Sequence, residues 1–275
     1  MITIILNLLT ASIIQIICFQ DINYIFNIYY TMCDETKLIY DIIKDKFKNG
    51  MMIDVGAFSG GTCKKFVLLD WNVVAFEPNP ERYQHIEYYL EKNPDKNKYL
   101  TLEKKCVNNK EENNLTFYLS DVSKGISSLT NFHNSHKQAS FTVSSVRLDN
   151  YMKSKNINHV NFLKIDTEGH DYFVLQSYPW DLDKPDVIEC EFEDLKSEIK
   201  LKYIWKDMAE YLYKLGYKII VSEWYPIVRY GTTHKWRGLK NYPCELDDKN
   251  AWGNFICFQD EILHNEFIEK IKKIF

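Results

Sequence analysis

Two stretches of the chain combine residue types that do chemistry with turns that would present them. The first is Asp54-Val55-Gly56-Ala57-Phe58-Ser59-Gly60-Gly61. Small residues there let the backbone pass close to a ligand, and the helix expected from Thr62 offers unsatisfied N–H groups to it. Twenty-one residues after Gly56 comes Glu77-Pro78-Asn79-Pro80, an acid at the offset where a strand-end carboxylate accepts both hydroxyls of a ribose. The cofactor-binding set is therefore Asp54, Gly56, Ala57, Gly60, Gly61, Glu77, Pro78 and Asn79. A dinucleotide fold calls for Gly-x-Gly-x-x-Gly, whereas this turn reads Gly-x-x-x-Gly-Gly with an Asp two residues ahead of its first glycine. A carboxylate there suits a ligand bearing an ammonium group and repels a pyrophosphate. S-adenosylmethionine is favoured as cofactor, and a nicotinamide-dependent oxidoreductase is the lesser alternative.

The second stretch is Phe162-Leu163-Lys164-Ile165-Asp166-Thr167-Glu168-Gly169-His170-Asp171-Tyr172. An apolar strand ending abruptly in ionisable groups sets them at the carboxyl edge of a sheet, where doubly wound folds put their ligands. Asp166 and Glu168 are two apart and share a face if the strand continues, and Gly169 can turn His170 toward the same cleft. These three form the expected catalytic set. The plain structural alternatives are that Asp171 caps the following helix and that His170 lies at the surface. Glu189, Glu191 and Glu193 repeat at period 2 in the next expected strand. Such clustering either raises a pKa for base work or holds a divalent cation.

The elements that must position these residues alternate. Helices are expected at 36–48, 62–70, 80–92, 149–155, 171–177, 201–215 and 261–275, and strands at 51–55, 72–76, 99–107, 115–120, 141–148, 160–166, 186–192, 217–223 and 251–259. Interleaved strands and helices mean an α/β fold with a mostly parallel sheet covered on both faces. Trp224, Tyr225, Tyr230, His234, Trp236 and Arg237 fall in a loop-like stretch that either packs or offers aromatic faces to a sugar. Residues 1–35 form an apolar N-terminal segment and 36–275 one domain. Met1 to Gln20 carries no charge and 14 of its 20 residues are apolar, but Asn7 and Gln15 interrupt it and the first positive charge is Lys37. A helix docked on the domain or a partner is favoured over a membrane anchor.

Composition narrows the function classes. The 275 residues are 45% hydrophobic and 26% charged with only 10 Gly and 7 Pro, which excludes disordered, collagen-like and low-complexity chains. Thirty-four Lys and Arg against 38 Asp and Glu give a net charge of -4, which argues against a nucleic-acid partner. Seven scattered cysteines without a C-x-x-C pair fit reduced thiols in a cytoplasmic protein.

In order along the chain, Asp54-Val-Gly-Ala, Ala75-Phe-Glu-Pro-Asn-Pro, Ser127-Ser-Leu, Arg147-Leu-Asp, Leu163-Lys-Ile-Asp-Thr-Glu-Gly and Glu189-Cys-Glu resemble the FkbM-type S-adenosylmethionine-dependent methyltransferases. The resemblance implies a class I methyltransferase (Rossmann-like) fold, a doubly wound, mostly parallel seven-stranded sheet with the last strand antiparallel. It also implies methyl transfer to a hydroxyl of a sugar, glycan, glycolipid or natural product. By position, Asp54, Gly56, Gly60 and Glu77 would bind the cofactor, with Asp166 and Glu168 at the reaction edge. Phe58 stands where the family usually has Asn, which removes a polar contact near the cofactor. A cofactor-binding partner without activity is the alternative that departure motivates.

Overall fold

A computed structural model describes residues 33–136 and 141–274. The expectation for residues 1–20 lies outside them. Helix α1 (Glu35–Ile43) starts where the Asp34 carboxylate accepts from the Lys37 amide, and it buries Leu38, Ile39, Ile42 and Ile43 at helical spacing. It stops short of the expected Lys48, because beyond Ile43 only Phe47 is apolar before Asn49 takes a left-handed φ of 53°. Then follow β1 (Met51–Val55), α2 (Gly61–Val67), β2 (Asn72–Phe76), α3 (Pro80–Lys92) and β3 (Leu100–Glu103). Short strands β4 (Cys106–Val107), β5 (Leu115–Phe117), β6 (Phe141–Val143) and β7 (Ser145–Val146) precede α4 (Leu148–Lys155). The second half runs β8 (Phe162–Ile165), α5 (Asp171–Gln176), β9 (Val187–Glu193), α6 (Asp194–Leu201), α7 (Trp205–Lys214), β10 (Lys218–Trp224), β11 (Trp236–Asn241), β12 (Trp252–Phe258) and α8 (Glu261–Ile274).

The main sheet has the order β11-β10-β12-β9-β8-β1-β2-β3. Strands β3, β2, β1, β8 and β9 are parallel, and β12 inserts antiparallel between β9 and β10. This is the doubly wound class I arrangement expected, last strand antiparallel, with one correction: the sheet has eight strands, not seven. Strand β11 adds an antiparallel edge on β10, in the stretch expected to be a loop. Its Arg237-Gly238-Leu239-Lys240 lacks a period-2 apolar pattern; side-chain bonds to β10 hold it instead, Trp236 Nε1 donating to Ser222 Oγ at 3.0 Å and Lys240 pairing with Glu223 at 2.7 Å.

One face of the sheet packs Tyr151 and Met152 of α4, Leu175 of α5 and Met208 and Leu212 of α7; the other packs Ile39 of α1, Phe66 of α2, Ile86 of α3 and Phe267 of α8. Burial on both faces explains the near-continuous apolar runs of β1, β2 and β8. Two expected strands are broken. The run at 99–107 divides because β2 ends at Phe76, opposite Glu103, leaving β3 no partner beyond it. The run at 141–148 divides because its two halves pair with different strands, β5 and β4.

Candidate active site

The carboxyl ends of β1, β2 and β8 open onto a cavity of about 400 Å³, within the ordinary range for small-molecule sites. Gly56, with φ 83°, ends β1, and a Cβ there would stand 1.8 Å from the Asp166 carbonyl oxygen. Only glycine lets the turn after β1 press against the end of β8. Gly60 takes φ 76° ahead of α2, whereas Gly61 has no neighbour within 4 Å of its Cβ position and leaves the cavity floor open. Ala57 is buried, and its amide, like that of Gly56, donates to the Phe76 carbonyl at 3.0 Å.

Asp54 is 1% exposed, and neither carboxylate oxygen has a hydrogen bond of ordinary geometry among the described residues. Burial pushes its pKa up to about 6, against the pull of the Lys164 charge. Glu77, at the end of β2, accepts from the Phe58 amide at 2.7 Å and the Asn79 amide at 2.8 Å. Burial outweighs these donors and raises it to about 7. Pro78 lines the wall, and Asn79 caps α3, its Oδ1 accepting from the Glu81 amide at 3.0 Å. Phe58 is left-handed at φ 52° and 42% exposed, with the Arg82 guanidinium 4.5 Å over its ring.

The other expected groups follow the neighbouring strand β8. Asp166 opens onto the cavity and accepts from Lys164 Nζ at 3.1 Å. Burial works against its ionisation, but the Lys164 and Lys196 charges outweigh it and hold the carboxyl below its ordinary value. Glu168, at φ 57°, pairs with Lys196 at 2.5 Å, and burial lifts it to about 7. His170 Nε2 shares a 2.7 Å hydrogen bond with Thr130 Oγ1, while its buried Nδ1 has no partner among the described residues. Burial drops its pKa to about 4, so the imidazole is neutral at neutral pH. His170 is thus buried, not a surface residue. Asp171 does more than start α5: its two oxygens accept from the Thr167 amide at 3.0 Å and the Gly169 amide at 3.1 Å, pinning the loop between the catalytic candidates. Ser128 and Tyr203 clamp the same loop by donating to the carbonyls of Glu168 and Gly169.

The three carboxylates of β9 share a face but separate in their partners. Glu189 accepts from Thr36 Oγ1 at 2.8 Å, whereas Glu191 and Glu193 meet Lys196 at 2.9 and 2.8 Å. Oxygens of Asp166, Glu168 and Glu191 lie within 4.8 Å of one another. Sequence reasoning missed Lys164, Lys196, Thr36 and Thr130. For Lys164 there was a signal, since a lysine inside an apolar strand needs a carboxylate partner. For Lys196 there was none. In the aromatic stretch, Trp224 and Trp236 are buried and donate to Glu35 and Ser222, so they pack and offer no platform. Tyr230 reaches the carboxylates of β9, donating to Glu193 at 2.9 Å.

Residues 54–219 match the model of the methyltransferase FkbM domain. The chain belongs to the FkbM methyltransferase family. Among curated proteins none matches it. Solved structures of similar outline include the methyltransferase FkbM from Methylobacillus flagellatus, with 15% identity and a TM-score of 0.46 over 78% of this chain and 44% of that one. The chain thus spans less than half of that protein's length. Precorrin-6y C5,15-methyltransferase from Geobacter metallireducens follows, with 12% identity and a TM-score of 0.41 over 84% of this chain and 90% of its own. An rRNA methylase from Streptococcus thermophilus has 9% identity and a TM-score of 0.41 over 85% and 99%. Likeness this distant carries no residue roles across. In this member of the family, Asp54, Glu77, Asp166 and Glu168 line one cavity together with Arg82, Lys105, Lys124 and Lys164, so side chains of both charges face it, with the carboxylates at the ends of β1, β2 and β8.

Proposed function

We propose that this methyltransferase uses S-adenosylmethionine to methylate a hydroxyl of a small acceptor, a sugar, glycan, glycolipid or natural product. The observation that carries the reading is the buried Asp54 carboxylate, without a hydrogen bond of ordinary geometry among the described residues, lining the same cavity as Asp166, Glu168 and His170. The residues fit the donor. Asp54 offers an acceptor to its ammonium group, Gly56, Ala57, Gly60 and Gly61 keep the turn low beside it, and Glu77 retains lone pairs for ribose hydroxyls between Pro78 and Asn79. When bound, the donor supplies a methyl group made electrophilic by a sulfonium.

The rest is left to the chain. A general base works best with a pKa near the operating pH, which selects Glu168 over the more acidic Asp166. With Lys196 on Oε2, Glu168 Oε1 is the atom that takes the hydroxyl proton. Asp166 stays ionised and orients the acceptor, and neutral His170 lines the same cavity. The Phe58 amide still donates to Glu77, so the turn keeps its main-chain contact despite the missing Asn, which weighs against an inactive partner. The net charge of -4 supports a small acceptor over nucleic acid. Among the described residues no helix is long and apolar enough to cross a membrane. A cytoplasmic setting belongs to the same proposal, on the odd, scattered cysteines of the sequence.

The test is transfer of a labelled methyl group to a panel of sugars, glycolipids and hydroxylated natural products. Label should appear in at least one as a base-stable ether, and Glu168→Gln should cut the rate by about 10²-fold or more at unchanged donor affinity. Label entering only RNA or DNA would contradict the acceptor class.

A further inference from the structure

Lys196 of α6 has a side chain only 2% exposed, with Nζ 2.5 Å from Glu168 Oε2, 2.9 Å from Glu191 Oε2 and 2.8 Å from Glu193 Oε2. The loop after β8, strand β9 and helix α6 therefore converge on one ammonium group. The Phe132 ring lies 5.8 Å from it, and Tyr230 closes the same side by donating to Glu193. Packing fixes the stem too, since a Cβ on Gly169 would approach Lys196 Cβ to 3.0 Å. Around this point, oxygens of Asp166, Glu168 and Glu191 gather within 4.8 Å of one another, a spacing at which carboxylates can share a divalent cation. An ammonium already touches two of them, and a second cation entering between them would meet it at close range.

We infer that Lys196 Nζ takes the place of a divalent cation in this cluster, so that the reaction edge binds no metal and Lys196 acts as the positioning residue for Glu168. Lys196 donates a hydrogen bond to Glu191 Oε2, stands at ion-pair distance from Glu168 and Glu193, and ties the loop to α6, a fixed geometry that does not depend on metal supply. The inference rests on the methyl-transfer reading only in treating this cluster as the reaction edge.

The test is a Mn²⁺ titration of the full chain followed by electron paramagnetic resonance, with neither methyl donor nor acceptor present, so its failure is read separately from failure of donor binding. Wild type should bind no Mn²⁺ below the order of millimolar. Lys196→Met should gain one site at least about tenfold tighter, and Mn²⁺, but not sodium at equal ionic strength, should raise its Tm. Lys196→Arg should restore the wild-type result on both counts, a rescue that loss of packing alone would not produce. A wild-type site lost in Glu191→Gln, or a folded Lys196→Met that gains none, would overturn the inference. If Lys196→Met does not fold even with Mn²⁺, the wild-type and Glu191→Gln titrations decide it.

Discussion

A carboxylate as buried as Asp54, without a hydrogen bond of ordinary geometry, is costly in an empty cavity, and a cationic ligand offsets that cost. Its replacement by Asn should weaken S-adenosylmethionine binding by about tenfold or more, since charge-assisted bonds contribute about 1.5–3 kcal/mol. The pH dependence has a definite sign. Burial raises Asp54 to about 6 and Glu77 to about 7, so in the empty folded site both hold protons at about pH 5 and lose them toward about pH 8. Above the ordinary carboxylate range these groups penalise the empty fold, because the unfolded chain ionises first. A cation removes the penalty, so donor affinity should rise between about pH 5 and about pH 8, with protons released near pH 6. Calorimetry in buffers of different ionisation heat reads both, and affinity falling over that interval would contradict the assignment. Phe58 carries strain of a different kind, an aromatic residue at φ 52°. Asn tolerates that conformation better, so Phe58→Asn should raise Tm by about 2 °C, equivalent to about 1 kcal/mol in a domain of this size.

The loop between β8 and α5 is held from several sides, by the Asp171 carboxylate, Ser128, Tyr203 and Lys196. Asp171→Ala would orphan the amides of Thr167 and Gly169, a loss of about 2–6 kcal/mol at about 1–3 kcal/mol per unsatisfied group, read as a lower urea midpoint together with slower methyl transfer. Unchanged stability would mean that Ser128 and Tyr203 suffice to hold it. Much of this architecture was legible. Strands β1 and β2 and helix α3 lie where apolar runs, Gly-rich turns and Pro80 put them, because local pattern and tertiary demand agree there. Helix α6 was not, and the reason is physical: it buries Lys196 and Ser197 and exposes Leu195 and Ile199, the reverse of an amphipathic helix. The same inversion hid Lys196 from the site. Strand β11 escaped because edge strands tolerate charge, and its registry comes from Trp236, Arg237 and Lys240 reaching β10.

Across the whole molecule, sheet topology does what single motifs cannot. Parallel β1, β2 and β8 end at one edge, bringing residues more than a hundred positions apart to a common cavity, and backbone contact between Gly56 and Asp166 fixes their separation. Gly56→Ala should therefore disrupt the fold and not merely the site, with a Tm fall beyond about 5 °C, since a 1.8 Å contact with backbone cannot relax locally. On the proposed reading, this cavity takes an adenosyl sulfonium. That binding is tested most directly by calorimetric titration of the purified chain with S-adenosylmethionine, S-adenosylhomocysteine and the nicotinamide dinucleotides in parallel. Dissociation constants on the order of micromolar for the two adenosyl sulfur compounds, weakened about tenfold by Glu77→Ala, with no heat from the dinucleotides, are the predicted result. Binding of a dinucleotide, or of none of them, would contradict it.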